Sequence, residues 1–210
     1  RSTQSRSSAA SDVYKRQALG VNPDTGSYEF EDYNQDGQIT RLEDRKIVKD
    51  FAPEFYGGLG NTISYKDFTL NFFFQFKKQI GFNYLRVGAT PGGEFNQSVK
   101  LYDRWQQTGD ISQHQFSSFL FSTPGHFDNS QRQGESNAAV SDASFIRLRN
   151  VSLTYNLPKE FSRGLDLSLY LQGQNLLTIT GYDDFDPSRP ANSVSLPSLK
   201  QITLGLNISF

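Results

Sequence analysis

From Asp32 to Glu43 the chain reads Asp-Tyr-Asn-Gln-Asp-Gly-Gln-Ile-Thr-Arg-Leu-Glu, which matches D-x-[DN]-x-[DN]-G-x5-E without a gap. Calcium is a hard cation that takes only oxygen ligands, and this spacing supplies them. Asp32, Asn34 and Asp36 offer side-chain oxygens and Gln38 its carbonyl, while Gly37 permits the sharp turn. Glu43 could close the shell with both carboxylate oxygens, and Asp44 directly after it is a second candidate for that role. Thr40 could contribute through a water, and Ile39 would be a packing anchor. No amphipathic helix precedes the loop, so a paired EF-hand is not implied; an Asx-rich turn without metal is the alternative.

Catalytic groups are sparse. The two histidines, His114 and His126, have no second histidine or cysteine at metal-ligand spacing and read as ordinary loop residues. Asp183, Asp184 and Asp186 form a second acidic cluster, read as a solvated or substrate-touching loop rather than an acid/base pair on a rigid scaffold. No nucleophile elbow, Walker loop or dinucleotide fingerprint appears, so no enzyme is expected. Aromatic residues in the same loops, Tyr102, Trp105 and Tyr182 among them, are candidate contacts for a glycan or peptide, or equally the packing of an ordered loop.

The elements that must position these loops are strands. Ile202, Leu204, Leu206, Ile208 and Phe210 alternate with Thr203, Gly205, Asn207 and Ser209, so one face is greasy and the other wet. About ten residues of this kind suffice for a tilted bilayer-spanning strand. Phe68, Leu70, Phe72, Phe74 and Phe76 repeat the pattern, as do Leu165, Leu167, Leu169 and Leu171; residues 55–65 give a glycine-rich version. Residues 144–155 change parity, with Ile146 and Leu148 on one set and Val151, Leu153 and Tyr155 on the other. A bulge near Arg149 and Asn150 would reconcile the halves; otherwise Arg147 and Arg149 face the lumen or stand above the bilayer.

Connections alternate between short and long. Lys66-Asp67 can close a tight hairpin and residues 157–164 a modest turn, whereas 78–143 and 178–198 are long and polar. That asymmetry predicts an outer-membrane barrel with its long loops outside and Tyr65, Tyr155 and Phe210 in the periplasmic aromatic girdle. The predicted fold is therefore all-β: an open antiparallel sheet of about five or six long strands, the C-terminal portion of a transmembrane β-barrel. Such a sheet alone would leave unpaired edges and aggregate.

Composition agrees. Of 210 residues, 21 are Lys or Arg and 22 Asp or Glu, with no basic stripe to neutralise phosphates, so nucleic acid is not an expected partner. Mean hydropathy is negative, which leaves no window for a membrane helix yet is compatible with strands whose alternate residues alone face lipid. There is no cysteine. Residues 1–17 lack the apolar core of a signal peptide, and Asp12-Val13-Tyr14-Lys15-Arg16-Gln17 looks like a translated sequencing adapter. The expected organisation is 1–17 non-biological, 18–54 an extracellular loop region with the calcium-like motif, and 55–210 barrel strands and loops.

The chain also resembles the C-terminal part of SusC/RagA-type TonB-linked outer-membrane transporters. The resemblance lies in Asp32-x-Asn34-x-Asp36-Gly37-x-Ile39-Thr40 followed by Asp44-Arg45, in Pro53-Glu54-Phe55 with Gly57-Gly58, and in Tyr65-Lys66-Asp67-Phe68. It continues through Tyr102-Asp103-Arg104-Trp105, the run 143–158, Gln174-Asn175-Leu176-Leu177 and the terminal 204–210. It departs at Gln35, where a glycine is usual, and in having Glu43 as well as Asp44. The resemblance implies a barrel of about 22 strands around an N-terminal plug. It further implies a SusD-like surface lipoprotein as partner, TonB-driven import of oligosaccharides or peptides, and a terminal Phe210 read by the outer-membrane assembly machinery. A secreted, calcium-stabilised β-sandwich that binds glycans is the competing expectation.

Overall fold

The computed structural model describes residues 12–88, 90–94, 96–119, 122–160, 165–184, 186–190 and 196–209. In chain order they form β1 (Asp12–Arg16), β2 (Ala18–Val21), β3 (Tyr28–Phe30), β4 (Arg45–Asp50), β5 (Phe55–Tyr65), β6 (Phe68–Lys78) and β7 (Ile80–Phe82). The helices α1 (Leu85–Gly88) and α2 (His126–Gly134) follow, then β8 (Val140–Asp142), β9 (Phe145–Asn156), β10 (Asp166–Thr180) and β11 (Gln201–Ser209). The chain divides into two compact units. Phe210, the predicted assembly signal, lies outside the described residues.

One unit holds the long strands, which form a five-stranded antiparallel sheet in the order β11-β10-β9-β6-β5. Every neighbour in the sheet is also the next long strand in sequence, so the topology is a meander. A sandwich would divide these strands between two sheets; here all five share one. The Lys66-Asp67 hairpin is as expected: Tyr65 pairs directly with Phe68, and Lys66 takes the left-handed conformation, φ 50°.

Register sorts the side chains into rungs that run across all five strands. Ile63, Leu70, Leu153, Leu171 and Leu204 form one rung, and Tyr65, Phe68, Tyr155, Leu169 and Leu206 the next toward the hairpin turn. Between them lies Ser64, Thr69, Thr154, Tyr170 and Gly205, and on the far side of the leucine rung lies Thr62, Asn71, Ser152, Gln172 and Thr203. A single-residue slip would put hydroxyls and amides into the apolar row, which fixes the pairing. Exposed leucine and isoleucine cover one face, including Ile63, Leu153, Leu171 and Leu204. At the turn end Phe68 stacks on Tyr155 with centroids 4.6 Å apart and pairs with Tyr65 in the same rung.

The parity change in β9 is resolved by a bulge at Arg149. Asn150 pairs with Phe73 and Gln174, and Leu148 with Phe74 and Leu177. Between the same two rungs β6 therefore has no extra residue, β9 has one and β10 has two, Asn175 and Leu176. Ile146 and Leu148 thereby join Val151, Leu153 and Tyr155 on the apolar face.

The other unit contains residues up to Ala52, the segment 80–141 and residues 190–193. Its two-stranded pairs, β1 with β4 and β2 with β3, surround a core that is unusually polar. His114, His126 and Gln115 are fully buried, as are Asp44 and Ser136. His114 joins the Tyr84 hydroxyl (2.7 Å) and the Asp103 carbonyl (2.9 Å), and His126 reaches the Phe116 carbonyl (2.8 Å). Both histidines are thus internal struts, not solvated loop residues. The long connection read from sequence as polar loop is a folded body whose core is held by hydrogen bonds. The described part of the adapter-like segment, from Asp12, is paired in β1, and Arg16 bonds Glu135 at 2.9 Å beside Arg45.

Candidate functional site

On the sheet's polar face the side chains are hydroxyls and amides. The Thr62 hydroxyl donates to Asn71 Oδ1 (2.6 Å), and Asn71 Nδ2 donates to the Ser152 hydroxyl (3.5 Å). Two aromatic rings lie on this face where a neighbouring strand has no side chain. Phe73 covers Gly58 and Gly60, and Tyr170 covers Gly205 so closely that a Cβ there would meet its ring at 2.2 Å. From the Asn150 rung to the Asn156–Ser168–Asn207 rung, the polar face contains no Asp, Glu, Lys or Arg. The wall is neutral, hydrogen-bonding and set with aromatic faces.

Charge enters at the other end. Arg147 and Asp186 are both 3% exposed and bonded, Nη2 to Oδ1, at 2.6 Å. Arg147 Nε donates to the Thr178 hydroxyl (2.9 Å) and Nη1 to the Ser198 hydroxyl (3.1 Å). Asp186 accepts further bonds from the backbone N–H and hydroxyl of both Ser188 and Ser198, all at 2.8 to 2.9 Å. Burial alone would raise the Asp186 pKa, but the Arg147 bonds and the serine donors outweigh it and hold the carboxyl far below the usual range. This corrects the reading of Asp186 as solvated: it is the staple that ties the connection after β10 to the wall. Gln79 adds a second tie, its amide donating to the Pro187 carbonyl at 2.6 Å. Arg149, in the bulge, donates to Gln75 Oε1 (2.6 Å) and Asn175 Oδ1 (3.3 Å). Both arginines point into the polar side.

Of the predicted substrate contacts, Tyr102 is open at 78% exposed. Trp105 is engaged internally: Nε1 donates to the Pro23 carbonyl (2.8 Å), its ring covers Gly26, and Phe116 meets it edge-on. Tyr182 is buried, and burial followed by the charge of Asp184 pushes its hydroxyl up to about 12. Only Tyr102 has the accessibility a substrate contact needs.

The acidic loop is a nest of Asx turns. Asp32 accepts the amides of Gln35 and Gly37, each at 2.8 Å, and Asp36 accepts that of Gln38 (2.7 Å). Asp44 is fully buried and closes the loop, taking the amides of Tyr33 (3.0 Å) and Thr40 (2.6 Å). Burial would raise Asp44, yet these two amides hold it below the ordinary carboxylate value. Glu43 is exposed instead. Among the described residues no group of three or more His, Cys, Asp or Glu converges as a metal-ligating set. Gln35 has φ 58°, so the departure from glycine costs backbone strain. Gln35→Gly is expected to stabilise the loop by about 1 kcal/mol, seen as slower amide exchange at residues 33–44.

No protein-family model matches the chain. Two TonB-dependent receptors of Formosa agariphila, P3 and P26, are 31% and 30% identical over 91% and 88% of it. The chain spans about one fifth of the length of these relatives. Among solved structures, the RagAB peptide importer in its open-open state superposes with a TM-score of 0.71 at 25% identity, covering 94% of this chain and 22% of that one. The closed-closed state gives the same TM-score and identity.

The chain is a barrel segment of the SusC/RagA type. As such a TonB-dependent receptor segment it belongs to the outer membrane and is not an enzyme. The leucine-covered face of the sheet is the lipid face and the hydroxyl and amide face is the lumen side. No described helix is long and apolar enough to cross a membrane; the crossing is made by strands.

Proposed function

We propose that the intact protein is a TonB-dependent importer of oligosaccharides or peptides that works with a SusD-like surface lipoprotein. The observation that carries this reading is the two-faced five-stranded sheet, whose lumen wall is uncharged and rich in hydrogen-bonding groups while its loop end is stapled by Arg147 and Asp186. A neutral wall of this kind lets a polar oligomer or a moving plug slide past without trapping a charge. Its kinship with RagAB, described as a peptide importer, supports transport and a two-component assembly. Uptake of fluorescent oligopeptides and oligosaccharides by cells carrying the intact protein is expected to drop to background on deletion of its gene and on loss of TonB. Unchanged uptake of both classes in both strains would overturn the proposal. Co-purification with an outer-membrane lipoprotein tests the partnership.

The same reading includes one Ca²⁺ in the acidic loop, stiffening an extracellular segment. Asp32, Asn34 and Asp36 would supply side-chain oxygens, Gln38 its carbonyl, and Asp44 the closing carboxylate, since Asp44 is turned into the loop and Glu43 is not. Titration calorimetry on the intact transporter should show one site that Asp36→Ala weakens at least tenfold, because a charged ligand is lost. A flat titration with folded protein sinks the assignment.

A further inference from the structure

The loop-rich unit contains a cavity of about 450 Å³, and its position coincides with the one sequence-predicted aromatic that remains open. Asn96, Tyr102, Arg104 and Ser117 line it, above buried Leu101. Two backbone contacts shape its walls. Gly92 has φ 87° and sits so close to the Ser117-Ser118 backbone that a Cβ would meet Ser118 O at 2.7 Å, and Ser118 N–H donates to the Pro91 carbonyl at 3.2 Å. Arg104 is fixed through its backbone by a bridge to His114, itself bonded to Tyr84 and Asp103.

Within that frame Arg104 is the only charged side chain lining the cavity, and it has no ion pair or side-chain hydrogen bond among the described residues. The nearby acids Glu94 and Asp103 do not pair with it. Elsewhere among the described residues the half-buried or buried arginines 16, 45, 147 and 149 each bond a carboxylate or amide through at least one nitrogen, although Arg45 Nε has no partner. A guanidinium held in a concave site with its fork unspent is complementary to a carboxylate, which it can grip through two parallel bonds. Tyr102 adds an open ring face, and Asn96 and Ser117 add donors and acceptors for hydroxyls or peptide groups.

We infer that this cavity is a carboxylate-binding subsite, with Arg104 gripping the anion and Tyr102 packing on the residue that bears it. The inference rests on the importer reading and sharpens its substrate class to acidic oligomers. A uronic-acid sugar and a peptide carrying a free carboxylate share this chemistry.

Binding to the purified intact transporter is measured by calorimetry with two probe pairs: trigalacturonate against its methyl ester, and N-acetyltriglycine against N-acetyltriglycinamide. At least one free acid is expected to bind roughly tenfold tighter than its neutral counterpart, as charge-assisted bonds require. Arg104→Gln should erase that preference, Arg104→Lys should restore part of it, and Tyr102→Ala should weaken the acid further without changing the preference. The responding pair identifies the source of the carboxylate. Equal binding of acid and neutral forms in both pairs, or a preference that survives Arg104→Gln, overturns the subsite. Uptake is read separately in cells: a protein that binds acids through Arg104 yet imports nothing removes the importer reading and leaves the subsite standing, while import that ignores Arg104 does the reverse.

Discussion

Arginine in place of Leu153 is expected to cost the intact barrel about 2 kcal/mol of folding free energy in lipid, whereas arginine in place of Ser152, one residue away, costs a small fraction of that. Leu153 sits between Leu70 and Leu171 on the apolar face, one rung in from the aromatic rung at the turn end. That depth places it toward the lower end of the mid-plane penalty. Ser152 is bonded to Asn71 on the lumen side, where a charged head can be hydrated. Urea titration of the barrel in vesicles, followed by the heat-dependent gel shift, reads both variants. Equal tolerance at the two positions, or the reverse order, would falsify the assignment of faces.

Arg147→Ala is expected to be worse, at about 3–5 kcal/mol, because it leaves Asp186 buried without its counter-charge. Asp186→Asn should also loosen the connection, since Ser188 N–H bonds Oδ1 and Ser198 N–H bonds Oδ2 and a carboxamide keeps only one accepting oxygen. Replacing both partners with apolar residues of similar volume should recover much of the loss. Limited proteolysis of the connection between β10 and β11 in the intact transporter reports the effect locally, and the double variant supplies the cycle that isolates the pair. Finding the single Arg147 variant no more cleavable than wild type would remove the staple from the account. The pH dependence follows from the depressed Asp186 pKa. Its stabilisation is complete above the ordinary value of 3.8 and is lost only as pH falls through the much lower folded-state value. The connection should therefore remain protected in mildly acidic medium and loosen only in strong acid.

The membrane sheet could be read in advance because each strand announces itself by a period of two, and the period survives wherever one face meets lipid. Even the parity break in β9 pointed to Arg149, where the bulge lies. The Arg147–Asp186 staple could not be paired from sequence: the partners are 39 residues apart, and Asp186 resembles its acidic neighbours Asp183 and Asp184. The loop unit reads from sequence as a long polar connection for a related reason. Its core adds the buried polar residues His114, Gln115, His126 and Ser136 to Tyr28, Phe30, Leu85, Leu101 and Ala139, and periodicity detects apolar stripes, not interlocking hydrogen bonds. Composition leaves Trp105 and Tyr182 open between ligand contact and loop packing; a backbone carbonyl and Gly26 claim the first and burial claims the second.

The sequence by itself determined the membrane strands, their order, their lipid and lumen faces and the turn chemistry at Gly37, because these depend on local alternation and on backbone conformations that few residues tolerate. Tertiary structure alone decided which ionisable groups are spent and which are free. Asp186 is consumed by buried bonds while Arg104 keeps its fork open. That distinction belongs to contacts between residues far apart in the chain, and no spacing rule encodes it.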